Sequence, residues 1–312
     1  MKRLIPAIPA FEDDRSYRKS RRRSDVWLPA IRHICLTHDL PTCSLTQIND
    51  GSHITFRAGQ THVIKLSPDA EMEEVMLRRL EGYLPVGIPS VVASGRLEGW
   101  PYVAMSQVEG TRLDHIWHTL DLQNKKTIVV ELAALIIKLQ EFPVEGLDDL
   151  ERFKTLDAHQ IGLLAGQLRD GGFAEHLVAE VPAYFEAAAP LYPDGTHPSL
   201  VLCDIQPEHL FCTERANEWR ITGMVDFADA SLAPKEHELG TPIINLMAGN
   251  EELVETFLRA YGYKSTDLGA PLARRLTALF LYEPGLWLML AHFPKGTPDA
   301  LEEVQKILFP FS

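Results

Sequence analysis

Two aspartates and a histidine in the second half of the chain have the types and spacing for phosphoryl transfer. Asp204 lies in Leu200-Val201-Leu202-Cys203-Asp204-Ile205-Gln206-Pro207-Glu208-His209-Leu210-Phe211, an apolar run broken by an acidic loop. Asp226 follows in Met224-Val225-Asp226-Phe227-Ala228-Asp229, after a connecting hairpin and a further apolar strand. Two carboxylates at strand ends, with a metal-ligand type between them, suit transfer from a metal–nucleotide. One orients an acceptor hydroxyl, and the other holds the ion that bridges the phosphates. The bland alternative makes both aspartates turn residues at strand ends, where Asp is frequent.

Lys65 stands in the apolar strand Val63-Ile64-Lys65-Leu66. Such a lysine can act as a point charge on nucleotide phosphates, or it can be an ordinary surface lysine. Glu73 adds weight to the first reading. Leu77 and Leu80 follow it at four and seven residues, so its carboxylate shares an apolar helical face. A buried glutamate needs a cationic partner, because burying it alone costs roughly several kcal/mol. Lys65 is the natural one. The preceding loop, Asn49-Asp50-Gly51-Ser52-His53, holds a single glycine and reads equally well as a plain hairpin turn. Its place directly before the Lys65 strand favours Ser52 and His53 amides that cover phosphates.

The elements that must position these groups follow from periodicity. Ser24 to His38 carries a helical apolar stripe capped near Ser24, with Pro41 beyond its end. Leu45 to Leu66 reads as a hairpin broken at Asn49–Ser52, and Ala70 to Gly82 as a helix stopping at glycine. Pro89–Ala93 and Tyr102–Met105 read as short strands. Helices are then expected over Asn124–Gln140, Asp149–Ala165, Phe173–Ala188, Glu251–Tyr261 and Pro271–His292. A sheet-rich segment followed by a helix-rich one predicts an α+β protein with two lobes and a site in the cleft between them. The expected division is an N-terminal extension and helix over 1–38, a nucleotide-binding lobe over 39–106, and a larger helical lobe over 107–312.

Taken together, these residues resemble the aminoglycoside phosphotransferase family, small-molecule kinases of the protein-kinase-like fold that include macrolide kinases. The family's His-Gly-Asp-x-x-x-x-Asn loop matches its Asp to Asp204, and its Asp-Phe-Gly-like turn matches Asp226. Leu202 and Cys203 replace the usual His-Gly, and His209 replaces the usual Asn. Glu73-Glu74-x-x-Leu77-x-x-Leu80 resembles the family's helix-C segment, with Glu73 matching the glutamate that pairs with the strand lysine. Pro101 to Gly110 resembles the hinge, where Ser106 and Val108 would supply a carbonyl and an amide to the base. The resemblance implies an enzyme that moves the γ-phosphate of ATP or GTP to a small-molecule hydroxyl. Asp204 would be the catalytic carboxylate, and Asp226 with His209 would hold Mg2+. Imidazole suits manganese better than magnesium, so Mn2+ is the alternative ion. His209 can instead pack under its loop on a backbone hydrogen bond. Asp229 and Glu238 read as structural acids that hold the catalytic loop, and Cys203 and Cys212 as buried small hydrophobes. A competing class is a catalytically silent nucleotide-binding module, for which the missing His-Gly is the motive.

The chain's formal charge is −13, and residues 1–23 alone carry +5, which leaves −18 on the remainder. An acidic body of that size argues against nucleic-acid or anionic-membrane partners and favours a cationic small molecule such as an aminoglycoside or an amine-bearing macrolide. Glu251, Glu252 and Glu283 on the late helices are candidate contacts for it, or plain solvated charges. The basic tract Arg15–Arg23 reads as a solvated terminal extension rather than a nucleic-acid arm. No run of residues is apolar and long enough to span a membrane: the longest, Leu276 to Phe293, is broken by Glu283-Pro284-Gly285. The N-terminal apolar run is cut by Pro6 and Pro9, too short and broken for a secretory signal, and the four cysteines show no paired spacing. These features together predict a cytoplasmic protein.

Overall fold

The computed structural model describes residues 4–5, 17, 20–49, 51–147, 150–152, 162, 165–166, 168–169, 174–188, 198–247, 249–281 and 300–312. They form two compact units. The first comprises Met1–Glu109 and Gly223–Asp229, the second Gly110–Thr222 and Ala230–Ser312. No helix among the described residues is long and apolar enough to cross a membrane.

In the first unit, helix α1 (Ser24–Thr37) precedes strands β1 (Leu45–Ile48), β2 (Ile54–Ala58) and β3 (His62–Leu66). Helix α2 (Ala70–Leu80) and strands β4 (Val91–Leu97) and β5 (Trp100–Ser106) complete it. The strands make one antiparallel sheet in the order β1-β2-β3-β5-β4. Alternation is clear in β2, where Ile54, Phe56 and Ala58 are buried and Arg57 is exposed. Trp27, Ile31, Ile34 and Cys35 of α1 fall at helical spacing and share a core with Ile54, Phe56, Ile64 and Leu66. The expected cap near Ser24 is absent: Arg23 precedes the helix, with no side-chain capping bond. The single hairpin expected over Leu45–Leu66 is a three-strand meander. Its second turn is made by Gly59 at φ +64°, a left-handed conformation that glycine adopts without strain. Helix α2 ends as expected, with Gly82 at φ +70° just beyond.

The second unit begins with β6 (Thr111–Arg112) and helix α3 (Leu122–Gln140), whose N-cap Asp121 accepts the Asn124 amide at 2.8 Å. Strand β7 (Glu151–Arg152), helix α4 (Glu175–Ala188), and strands β8 (Ser199–Val201), β9 (Leu210–Arg215), β10 (Glu218–Met224, whose last two residues belong to the first unit) and β11 (Ser231–Ala233) follow. Helices α5 (Glu251–Tyr261), α6 (Ala270–Leu281) and α7 (Leu301–Leu308) complete it. Two small sheets run β10-β9-β6 and β7-β11-β8. The helix expected over Asp149–Ala165 is contradicted at Glu151–Arg152, which pair with β11 as a strand. Most of the rest of that segment, and of the expected helix beyond Leu281, lies outside the described residues. The loop carrying Asp204 has an apolar footing, since Leu200, Val201, Leu202, Ile205 and Leu210 are all buried.

Candidate active site

Lys65 sits mid-strand, paired with Thr55 on one side and Val103 on the other. Its ammonium donates to Glu73 Oε2 at 2.8 Å and to Asp226 Oδ1 at 2.7 Å. The other Glu73 oxygen, Oε1, accepts the Phe227 amide at 3.1 Å. Glu73 therefore ties the strand lysine to the backbone that follows Asp226. Asp226 itself has φ +68°, a left-handed conformation that Asp tolerates better than most residues. Its segment is anchored upstream by the Met224 amide on the Gly87 carbonyl at 2.9 Å. The side chains of Lys65 and Glu73 are 5% and 1% exposed, so both charges are desolvated. Burial pushes the Glu73 carboxyl above its ordinary value, although Lys65 opposes this. Burial alone would lower Lys65, but the charges of Glu73 and Asp226 and their hydrogen bonds outweigh it, and Lys65 is held above the usual lysine value. The result is a fixed cation, as phosphate binding requires.

The loop before β2 places Ser52 in solvent and folds His53 inward, its Nδ1 2.7 Å from Ser67 Oγ just beyond β3. Burial, and then the Lys65 charge, pushes His53 down to about 4. It is a neutral donor or acceptor near pH 7. At the end of β5, the Ser106 amide donates to the Ser90 carbonyl at 2.9 Å, and the Gln107 amide to the Thr61 carbonyl at 2.8 Å. The Ser90 amide is taken by the Ser106 hydroxyl at 2.8 Å, not by the Ser106 carbonyl. Val108 is buried.

In the second unit Asp204 is steered by a neighbour that sequence reasoning did not single out: Gln206 donates its side-chain amide to Asp204 Oδ1. His209 donates from Nδ1 to the Asp204 carbonyl at 2.7 Å, so a neutral ring carries its lone pair on Nε2. The backbone bond of the packed alternative is thus present. It orients the ring in the manner of histidines whose other nitrogen meets a metal. The replaced His-Gly has a local explanation. Leu202 is buried among apolar residues and donates its amide to Glu238 Oε2, and the Cys203 carbonyl accepts the Thr241 hydroxyl at 3.0 Å. Cys203 takes φ +64°, the conformation for which glycine is the unstrained choice. Cys203 is half-buried, with its sulfur 4.0 Å from His237 Nδ1, and Cys212 is buried.

Lys65, Glu73 and Asp226 are therefore brought together in the first unit, and Asp204 and His209 share one loop of the second. Among the described residues, no three acidic, histidine or cysteine side chains gather as a metal cage. Of the acids considered for a cationic acceptor, Glu252 pairs with Lys126, Glu251 is exposed, and Glu283 lies outside the described residues.

A family model described as phosphotransferase enzyme family matches residues 45–275. Solved structures share the fold at low identity. The GDP complex of aminoglycoside 2'-phosphotransferase-IIIa superposes with a TM-score of 0.70 at 20% identity, covering 89% of this chain and 96% of that one. The streptomycin–ATP–APH(2")-IIa ternary complex gives 0.56 at 19% identity, over 78% and 85% of the two chains. Aminoglycoside-3'-phosphotransferase of type VIII gives 0.58 at 19% identity, over 82% and 98%.

Proposed function

Because the chain belongs to the phosphotransferase enzyme family, we propose that it transfers the γ-phosphoryl group of ATP or GTP to a hydroxyl of a small cationic molecule, of the aminoglycoside or amine-bearing macrolide kind. The observation that carries this reading is the buried lysine gripped by two carboxylates, Glu73 at 2.8 Å and Asp226 at 2.7 Å. One carboxylate balances the charge of a lysine in a desolvated strand, and a second leaves net negative charge beside it. This suits a site where the phosphates of a nucleotide replace part of that negative charge.

Lys65 binds the nucleotide phosphates, and Glu73 fixes its position. The Ser52 and His53 amides close over the phosphates, while the Ser106 carbonyl and the Val108 amide meet the base. Asp204 accepts the proton of the acceptor hydroxyl as that oxygen attacks the γ-phosphorus and the bond to the β-phosphate oxygen breaks. Gln206 holds one carboxylate oxygen of Asp204 and so limits its rotation. Magnesium takes one or two carboxylates plus phosphate oxygens rather than an all-protein cage. The Asp226 carboxylate, a quarter exposed, fits that requirement. His209 Nε2 would add a softer ligand, better matched to manganese. When bound, the ion supplies positive charge against the phosphates.

A silent nucleotide-binding module is the weaker reading. Its motive was the missing His-Gly brace, and Glu238 and Thr241 hold that stretch by backbone hydrogen bonds. Excess negative charge on the body supports a cationic acceptor through electrostatic steering. The test is purified protein with Mg2+ and ATP or GTP against a panel of aminoglycosides, macrolides and neutral sugars. A phosphorylated cationic product that disappears in Asp204→Ala is expected. Nucleotide binding without turnover on any acceptor would overturn the proposal.

A further inference from the structure

His53 closes the loop between β1 and β2, and its side chain behaves unlike those of its neighbours. Asn49, Gly51 and Ser52 are exposed, whereas the His53 side chain is 16% exposed and folds inward. The backbone ladder of β2 and β3 ends at the pair Ile54–Leu66. His53 and Ser67 stand at the next position on each chain segment, where Nδ1 lies 2.7 Å from Ser67 Oγ. Side chains thus carry the strand pairing one step further, at the end of the ladder where Lys65 faces Thr55.

Ser67 is a firm anchor for that bond. It is fully buried, and its amide donates to the Pro101 carbonyl of β5 at 3.2 Å. Its carbonyl accepts the amide of Ala70 at 3.1 Å, the first residue of α2, which is the helix that carries Glu73. Its Oγ accepts the Asp69 amide at 3.2 Å and reaches Asp69 Oδ2 at 3.4 Å. One residue is therefore tied to β5, to the start of α2 and, through His53, to the loop. The stretch 49–53 is longer than the two-residue turns that fix a hairpin by their own geometry, so an outside anchor decides where its amides stand. Amides held in place before an anion arrives bind it more tightly than amides that the anion must order.

We infer that His53 is a positioning residue of the nucleotide site: its ring, through Ser67, fixes the Ser52 and His53 amides relative to Lys65 and so sets affinity for the phosphates, not for the base. This rests on the proposal above that those amides and Lys65 receive the phosphates of a nucleotide. Calorimetric titration of the full chain with ATP plus magnesium, and separately with adenosine, tests it (GTP and guanosine if the guanine nucleotide binds better). His53→Ala is expected to weaken triphosphate binding about five- to tenfold and leave the nucleoside unchanged, the scale of one lost hydrogen bond. His53→Asn, whose amide can stand near the place of Nδ1, should recover part of the loss. Ser67→Ala should weaken the triphosphate at least as much. Adding His53→Ala to it should cost nothing more, because both changes break the same bond. Unaltered triphosphate affinity in His53→Ala overturns the inference. So does an equal loss for triphosphate and nucleoside, which is the mark of a general loss of structure. A further loss on adding His53→Ala to Ser67→Ala also overturns it, because the ring would then act on the nucleotide by a route other than Ser67. A wild-type chain that binds no nucleotide would instead remove the functional proposal, and this inference with it.

Discussion

Lys65 in the sheet unit is 5% exposed and held by two carboxylates; Asp204 in the helical unit is 32% exposed and held by an amide and a backbone-braced loop. In the first unit the groups suited to chemistry are also load-carrying elements of the fold, because the buried charge of Lys65 is met by Glu73 and Asp226 and that of Glu73 by Lys65 and the Phe227 amide. In the second, the backbone beside the acid is fixed by other groups, the Leu202 amide donating to the Glu238 carboxylate and the Thr241 hydroxyl to the Cys203 carbonyl, so the Asp204 side chain is not what holds the loop. The two kinds of site should therefore fail differently when a charge is removed.

The largest expected effect is at Lys65. Lys65→Ala leaves Glu73 and Asp226 facing each other without a cation, and breaking a buried pair in this way costs about 3–5 kcal/mol. Turnover should vanish and the denaturant midpoint should fall together. Asp204→Asn is the counterpart. Asparagine keeps an oxygen for Gln206, so stability should hold within about 0.5 kcal/mol while turnover drops by roughly 10²–10⁴-fold. Chemical unfolding and initial rates on both variants would break the comparison if Lys65→Ala kept wild-type stability, or if Asp204→Asn lost it.

His53 gives the next effect. Its folded pKa lies near 4, below the ordinary 6.5, so the fold favours the neutral ring. Stability from this source is complete above pH 6.5 and is lost as pH falls toward 4, because the unfolded chain takes up the proton first. At most about 3 kcal/mol is involved. Wild type should lose more stability than His53→Gln between pH 7 and pH 4.5. Parallel losses in the two proteins would show that His53 carries no such linkage.

What the sequence disclosed follows the same division. The Lys65–Glu73 pair was legible because an acid on an apolar helical face must find a cation, and helical spacing shows the face. Asp204 and Asp226 were legible from strand–loop patterning together with the family resemblance. Gln206 was not, since a polar residue two places along a loop carries no periodicity to mark its aim. The Gly59 turn was missed because Ala58-Gly59-Gln60-Thr61 lacks the Asn-Gly or Asp-Gly pair that usually announces one.

The smallest effect sharpens the account of the helical unit. Cys203 stands at φ +64°, where a side chain crowds the backbone by about 1–2 kcal/mol and glycine does not. Glycine also has more freedom to lose on folding, about 0.5–1 kcal/mol, which cancels part of that gain. Cys203→Gly should therefore raise stability by a few tenths to about 1 kcal/mol, and turnover should stay the same or improve, because the Leu202 amide and the residue 203 carbonyl remain in place for Glu238 and Thr241. Equilibrium denaturation resolves a shift of this size when wild type and variant are measured side by side. A loss of more than about 1 kcal/mol would mean that the Cys203 sulfur, 4.0 Å from His237 Nδ1, contributes packing or hydrogen bonding that exceeds the backbone strain. In that case contacts of the Cys203 side chain, and not only hydrogen bonds to the backbone, would hold the loop that carries Asp204, and the contrast with the sheet unit would narrow.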